Sequence, residues 1–163
     1  PNYNNRKLTE LVANSLEKNE IVAYDNLDFD SVIPKKNLAD LAKKININTK
    51  FIGFKIKEDW YFNKTTNSME VLIVGIAPYD LISEDKKEIC CFYFPELRKI
   101  LAKTHYRKKE LGATLEDFFF YRKFSSKITH GTSVNGFAKA NSDEVEQLIL
   151  KTEHDYWFKQ NEK

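Results

Sequence analysis

Long apolar runs are missing from this 163-residue sequence. None approaches the roughly 18 apolar residues that a membrane-crossing helix needs, so direct membrane insertion is not expected. Charge of one sign is missing too: 26 basic residues stand against 24 acidic ones, a net charge of +2. That balance gives no reason to expect nucleic acid or a membrane surface as the default partner. Cysteine is confined to the adjacent pair Cys90 and Cys91. Neighbouring cysteines bridge each other only with strain, so they read as two buried thiols on opposite faces of a strand and say nothing of redox compartment. No signal peptide is visible. The chain starts at Pro1 without Met, which suggests a processed or trimmed product from which a signal could have been lost.

What is present is a globular composition, 42% hydrophobic against 31% charged. A chain of this length defaults to one domain, here 1–163, and buries roughly two-thirds of its unfolded surface. It needs neither disulfides nor metal to hold a core. Aromatics supply much of the apolar mass, with 12 Phe and 8 Tyr against a single Met. Such residues fill cores and are also enriched at protein interfaces.

Periodicity orders the chain into helices and strands. Leu8, Leu11, Val12 and Leu16 mark one face of a helix over 7–19. Ile21–Tyr24 suits a short edge strand, and Asp25–Asp30 an acidic turn. Pro34 opens a second helix over 35–46. In 51–63, Ile52, Phe54, Ile56, Trp60 and Phe62 alternate with Lys55, Lys57, Asp59 and Tyr61, which predicts a strand with Trp60 at least half buried. Segments 69–77, closed by Pro78, and 88–94 read as further strands, apolar on both faces. Short loops between them imply an antiparallel meander, covered on both sides by helices or on one side by a partner. Pro95 starts a third helix, and Thr114-x-x-Asp117 caps a fourth that carries Phe118, Phe119, Phe120, Tyr121 and Phe124. Four consecutive aromatics point to every side of a helix, so some cannot reach the domain's own core. Ser142 caps a last helix with Val145, Leu148, Ile149, Thr152 and Tyr156 inward. The fold class expected is α+β, a three-stranded antiparallel meander with flanking helices.

Chemistry is hard to find. His105, His130 and His154 lie on separate segments without a second ligand at metal spacing. The turn with Asp25, Asn26, Asp28 and Asp30 lacks the Gly and the final Glu of a calcium loop. No phosphate loop, dinucleotide motif or nucleophile elbow is present. Glu58 interrupts an apolar face: it is either a catalytic acid, or it sits in water at the sheet's end or pairs with a Lys or Arg, the favoured reading. Arg98, Lys99, Lys103, Arg107, Lys108 and Lys109, with Tyr106 among them, could bind single-stranded nucleic acid, but flanking Glu96 and Glu110 favour a solvated face or an acidic protein partner. No catalytic, cofactor-binding or metal-binding residue is therefore assigned.

Two ordered stretches, Lys57-Glu58-Asp59-Trp60-Tyr61-Phe62-Asn63-Lys64 and Met69-Glu70-Val71-Leu72-Ile73-Val74-Gly75-Ile76-Ala77-Pro78, resemble the signature of the GldN/PorN family of gliding-motility and type IX secretion proteins of Bacteroidetes. Phe92-Tyr93-Phe94-Pro95-Glu96-Leu97-Arg98 and the segment Leu115 to Ser126 are similar to that family in the same order, as is Arg6 to Asp25. The chain departs from the family at Leu72, where a basic residue is usual, and in the loop 129–137. The resemblance implies a periplasmic structural subunit of a ring beneath the outer membrane, with no cofactor and no catalytic residues. It also implies three partners: an outer-membrane lipoprotein of the ring, the periplasmic part of the inner-membrane motor complex, and neighbouring copies of the chain. Candidate interface residues are Phe118, Phe119, Phe120, Tyr121, Phe124, Arg98 and Tyr61. A small nucleic-acid-binding module and an undetected hydrolase stay open as alternatives.

Overall fold

A computed structural model describes residues 3–47, 52–66, 68–105 and 113–129, together with Gly131 and Gln147. Helix α1 (Tyr3–Glu17) buries Leu8, Val12, Ala13 and Leu16, which recur at helical spacing and so form one inward stripe. Leu11, expected on that stripe, lies at its edge and is half-buried. Thr9 and Ser15 are buried as well. Among the described residues no buried side-chain nitrogen or oxygen lacks a hydrogen-bond partner.

The helix stops two residues before the expected end because Asn19 adopts the left-handed conformation, φ 56°. The N–H of Asn19 then donates to the Leu16 carbonyl at 3.0 Å, and that of Glu20 to the Ser15 carbonyl at 2.9 Å. This crossed pair of bonds satisfies carbonyls left over at a helix end, and Asn tolerates the left-handed position second only to Gly. Pro34 leads into a 3-10 turn, Lys35–Asn37, and then α2 (Leu38–Ile47), so the helix expected over 35–46 begins with a tighter turn. Leu38, Ala42 and Ile45 are buried, and α2 packs on α1.

Strands β1 (Ile52–Asn63), β2 (Ser68–Asp80) and β3 (Phe92–Tyr93) form the antiparallel sheet in the order β1-β2-β3. The α+β meander with flanking helices is thus the fold, with corrections in detail. β2 runs through Pro78 rather than ending before it: the carbonyl of Pro78 accepts the N–H of Ile89 at 2.8 Å, and no N–H is needed from proline. The third strand, expected over 88–94, is reduced to two residues, Gly75 facing Tyr93 and Ile76 facing Phe92, preceded by a bridge from Tyr79 to Glu88. Cys91 turns its backbone away from β2. Its N–H and C=O each bond those of Tyr24 at 2.8 Å, and this contact is what remains of the edge strand expected at 21–24. Phe94 already belongs to α3 (Phe94–Leu101), whose first turn holds Pro95.

β2 is covered completely only at Gly75, Ile76, Ala77 and Pro78, whereas Leu72 keeps 57% of its surface exposed. The two apolar faces read from the sequence are therefore closed at one end alone. Trp60 keeps 41% exposure, so the ring is more than half covered without being a core residue.

Over the closed end lies the turn between Tyr24 and Val32, which pair as an antiparallel bridge. Asn26 Oδ1 accepts the N–H of Asp28 and of Phe29, both at 3.0 Å. These bonds help to hold Phe29 in a left-handed conformation, φ 61°, that bulky residues seldom adopt. The Phe29 ring then lies against the backbone of Gly75, where a Cβ would collide with it. It meets Tyr24 edge-on at 5.5 Å and Tyr93 at 5.3 Å. From β1, Lys57 donates to the Leu27 carbonyl at 2.9 Å and to Asp28 Oδ1 at 3.0 Å, with its ammonium 5.7 Å from the centre of the Phe29 ring. Gly53 is filled in the same manner by the ring of Tyr79.

By internal contacts the chain divides into two compact units, Pro1–Asp59 with Leu72–Lys123, and Trp60–Val71 with Phe124–Lys163. The last helix, expected after Ser142, lies outside the described residues except at Gln147, which is helical.

Gly75→Ala should destabilise the fold by about 1–3 kcal/mol, the range for forcing a group into packed space. In a Phe29→Ala background most of that penalty should vanish, because the colliding ring is gone. Denaturant midpoints of the four proteins check this; simple additivity of the two changes would show that ring and glycine do not meet.

Candidate partner-binding surface

Of the interface candidates, Arg98 lies on α3, and Phe118, Phe119 and Phe120 lie on α4 (Leu115–Phe120). Leu97 and Leu101 root α3 in the core. The chain returns through a bridge between His105 and Thr114, and the N–H of Leu115 donates to the Thr104 carbonyl at 2.7 Å. The capping box expected at Thr114 is formed. The Asp117 N–H donates to Thr114 Oγ1 at 3.2 Å, and the Thr114 N–H to Asp117 Oδ2 at 2.8 Å. The bond from the Thr114 backbone, then the one from its hydroxyl, hold the Asp117 carboxyl below its ordinary range.

The aromatic run is then sorted by helical rotation. Phe118 and Phe119 are core residues, in contact with each other at 5.5 Å, and Phe119 meets Phe94 edge-on at 5.4 Å. Both rings, named among the interface candidates, are thus packed within the domain. Phe120 and Tyr121 point outward with 76% and 63% exposure. Their rings contact each other edge to face at 5.1 Å, and the Lys123 ammonium sits 5.7 Å from the Tyr121 ring centre. Phe124 is half-buried and lies beyond the helix, which ends at Phe120 and not at Phe124 as expected.

Termination follows the same crossed pattern as in α1. Arg122 takes φ 47°, its N–H donates to the Phe119 carbonyl at 3.0 Å, and that of Lys123 to the Phe118 carbonyl at 2.9 Å. The Arg122 guanidinium reaches Glu58 on β1, Nη1 to Oε1 at 2.8 Å. Glu58, the carboxylate that interrupts an apolar face, is therefore paired with an arginine. Arg98 donates to Glu116 Oε1 through Nε at 2.7 Å and approaches the same oxygen with Nη2 at 2.6 Å, joining α3 to α4. One member of the basic run thus has an acidic partner, and residues 106–109 lie outside the described ones.

Tyr61 belongs to the other unit, near the tip of the β1–β2 hairpin. Its hydroxyl donates to Glu70 at 2.8 Å, and Asn63 Nδ2 donates to the same carboxylate at 2.5 Å. The bond with Glu70 raises the Tyr61 hydroxyl above its usual value, and the bonds from Tyr61 and Asn63 lower the Glu70 carboxyl. Tyr61 is half exposed, with its polar end committed within the hairpin.

The carboxylates of the acidic turn have partners within the fold. Asn26 donates to Asp30 at 2.8 Å, Ser31 to Asp25 at 3.0 Å, and Lys57 pairs with Asp28, so the acidic turn is bonded within the fold. Among the described residues no three His, Cys, Asp or Glu side chains converge on one point. No helix among them is long and apolar enough to cross a membrane. Cys90 and Cys91 are free and buried. Burial raises both thiols, Cys91 to about 12, with the Glu88 carboxylate adding to the shift there.

The sequence family described as gliding motility associated protein GldN matches residues 2–158 of this 163-residue chain. The chain belongs to that family, which associates it with gliding motility and type IX secretion. No curated protein matches it.

The cap at Thr114 is legible in the sequence, but Arg122 as the partner of Glu58 is not. Arginine at the left-handed position after a helix carries no signature in the chain, and its partner lies 64 residues away.

A carboxyl titration by NMR should put the midpoint of Asp117 below the roughly 3.9 of unfolded Asp. The cap's contribution is then complete above that value and is lost as pH falls through the lower, folded midpoint. In Thr114→Val the midpoint should rise part of the way, since the backbone bond survives. Both thiols should react with an aromatic disulfide reagent at pH 8 on the order of a thousandfold more slowly than in the unfolded chain, because the thiolate is the reactive form. Comparable rates in the two states would show that the thiols are accessible.

Proposed function

We propose that this chain is a non-catalytic structural subunit of the periplasmic ring of a type IX secretion and gliding machine, acting through protein–protein contacts. In this reading it resides in the periplasm and is associated with the outer membrane through a partner. The end of α4 meets the ring's outer-membrane lipoprotein. The periplasmic part of the inner-membrane motor complex and neighbouring copies of the chain are its other partners. Family membership supports the assignment to this machinery. The observation that carries the contact role is the outward pair Phe120 and Tyr121, immediately after two rings that are buried. Large aromatic side chains are enriched at interfaces, where they bury much area at low conformational cost.

Phe120→Asp and Tyr121→Asp should each leave the melting temperature within a few degrees of the parent, because exposed substitutions typically change stability by about 0.5 kcal/mol or less. Each should abolish co-purification with the ring lipoprotein from cells. Unimpaired co-purification with both variants folded would overturn the placement of the contact at α4.

A further inference from the structure

We propose that Glu58 and Arg122 are positioning residues that hold the Phe120–Tyr121 ring pair in its outward orientation, a role that rests on the reading of α4 as a partner surface. A helix of six residues is too short to be stable alone, so its ends must be fixed by something else. The N-terminal end is fixed by the capping box and by the Leu115 to Thr104 bond. The C-terminal end depends on a reversal at Arg122 with φ 47°.

Glycine is the residue that adopts this conformation without a Cβ penalty, and it is the common choice after a helix. Arginine there is less favourable for the backbone, so its side chain needs another account. The observed contact supplies one. Its guanidinium reaches across to β1 and meets Glu58 at 2.8 Å, where the carboxylate retains only 15% side-chain exposure. A charge-assisted bond to a largely covered carboxylate is stronger and better directed than one in open solvent. The bond thereby ties the residue directly after Tyr121 to the sheet.

The consequence for the ring pair is geometric. Phe118 and Phe119 fix one side of α4 in the core, and the tether fixes the turn that follows. Phe120 and Tyr121 lie between these two points. Their backbone is held at both sides, although the rings themselves are exposed. A pre-oriented aromatic pair loses less freedom on binding than a mobile one, so the tether contributes to affinity without touching the partner.

The test compares five proteins: the parent, Phe120→Asp, Arg122→Gly, Glu58→Arg, and the swap Glu58→Arg with Arg122→Glu. Two quantities are read: capture of the purified ring lipoprotein, and hydrogen exchange across residues 118–124. Arg122→Gly should still fold, because glycine suits the turn and offsets part of the cost of the lost ion pair, yet weaken capture at least tenfold. Glu58→Arg should weaken capture similarly and speed exchange of the Arg122 and Lys123 amides at least tenfold, since those amides close the turn. The swap should restore both readouts to within about threefold of the parent, a rescue that loss of general stability would not give. If Phe120→Asp abolishes capture while Arg122→Gly binds like the parent, the positioning role is overturned and the surface stands. Should Phe120→Asp leave capture intact, the surface itself is misplaced. Exchange then decides the tether: unchanged rates in Glu58→Arg refute it, and fast rates restored by the swap establish it.

Discussion

The approach of the Phe29 ring to the backbone of Gly75 is the contact on which the closed end of the sheet depends. It requires a residue without a side chain on the central strand and a bulky residue in a left-handed turn, and neither is favourable alone. Asn26 bonds the turn from within, Lys57 holds it from β1, and Tyr24 locks its base to Cys91. With these in place, β2 is covered at Gly75–Pro78, and Tyr24 with Cys91 continues the sheet beyond the very short β3. The acidic turn thus has a structural use: its carboxylates and carbonyls are bonded to groups of this chain.

Two helices end in the same manner, with a non-glycine residue in the left-handed position and a crossed pair of backbone bonds. At Asn19 the choice is conventional, because a short polar side chain tolerates that geometry. At Arg122 it is not, and the long side chain makes a contact that neither Gly nor Asn could reach. The difference separates a turn that merely ends a helix from one that also connects two elements. It also explains why Glu58 can stand among apolar neighbours on β1: its charge is matched by a guanidinium from the turn after α4.

Much of the architecture is legible in the chain because it rests on local chemistry. The stripe of α1, the extent of β1, Pro95 at the start of α3 and the Thr114–Asp117 box all depend on residues within a few positions of one another. Errors cluster where a distant backbone competes for the same groups. Residues 88–94 have the composition of a strand, yet Cys91 bonds Tyr24, 67 residues away, and Phe94 is drawn into the helix that Pro95 begins. A run of aromatics can be read as facing every side of a helix. Which members are buried depends on the helix's orientation, and the short α4 turns Phe118 and Phe119 inward.

By itself the sequence determined the α+β class, the positions of most elements, and membership of the GldN family. These follow from periodicity, capping chemistry and the order of motifs, all carried by neighbouring residues. Only the tertiary structure decided that Phe120 and Tyr121 are the outward rings, that Phe29 fills the space over Gly75, and that Arg122 is the partner of Glu58. Each of these depends on segments far apart in the chain meeting at specific atoms. Local sequence preferences describe how a segment folds, but not which other segment it will pack against.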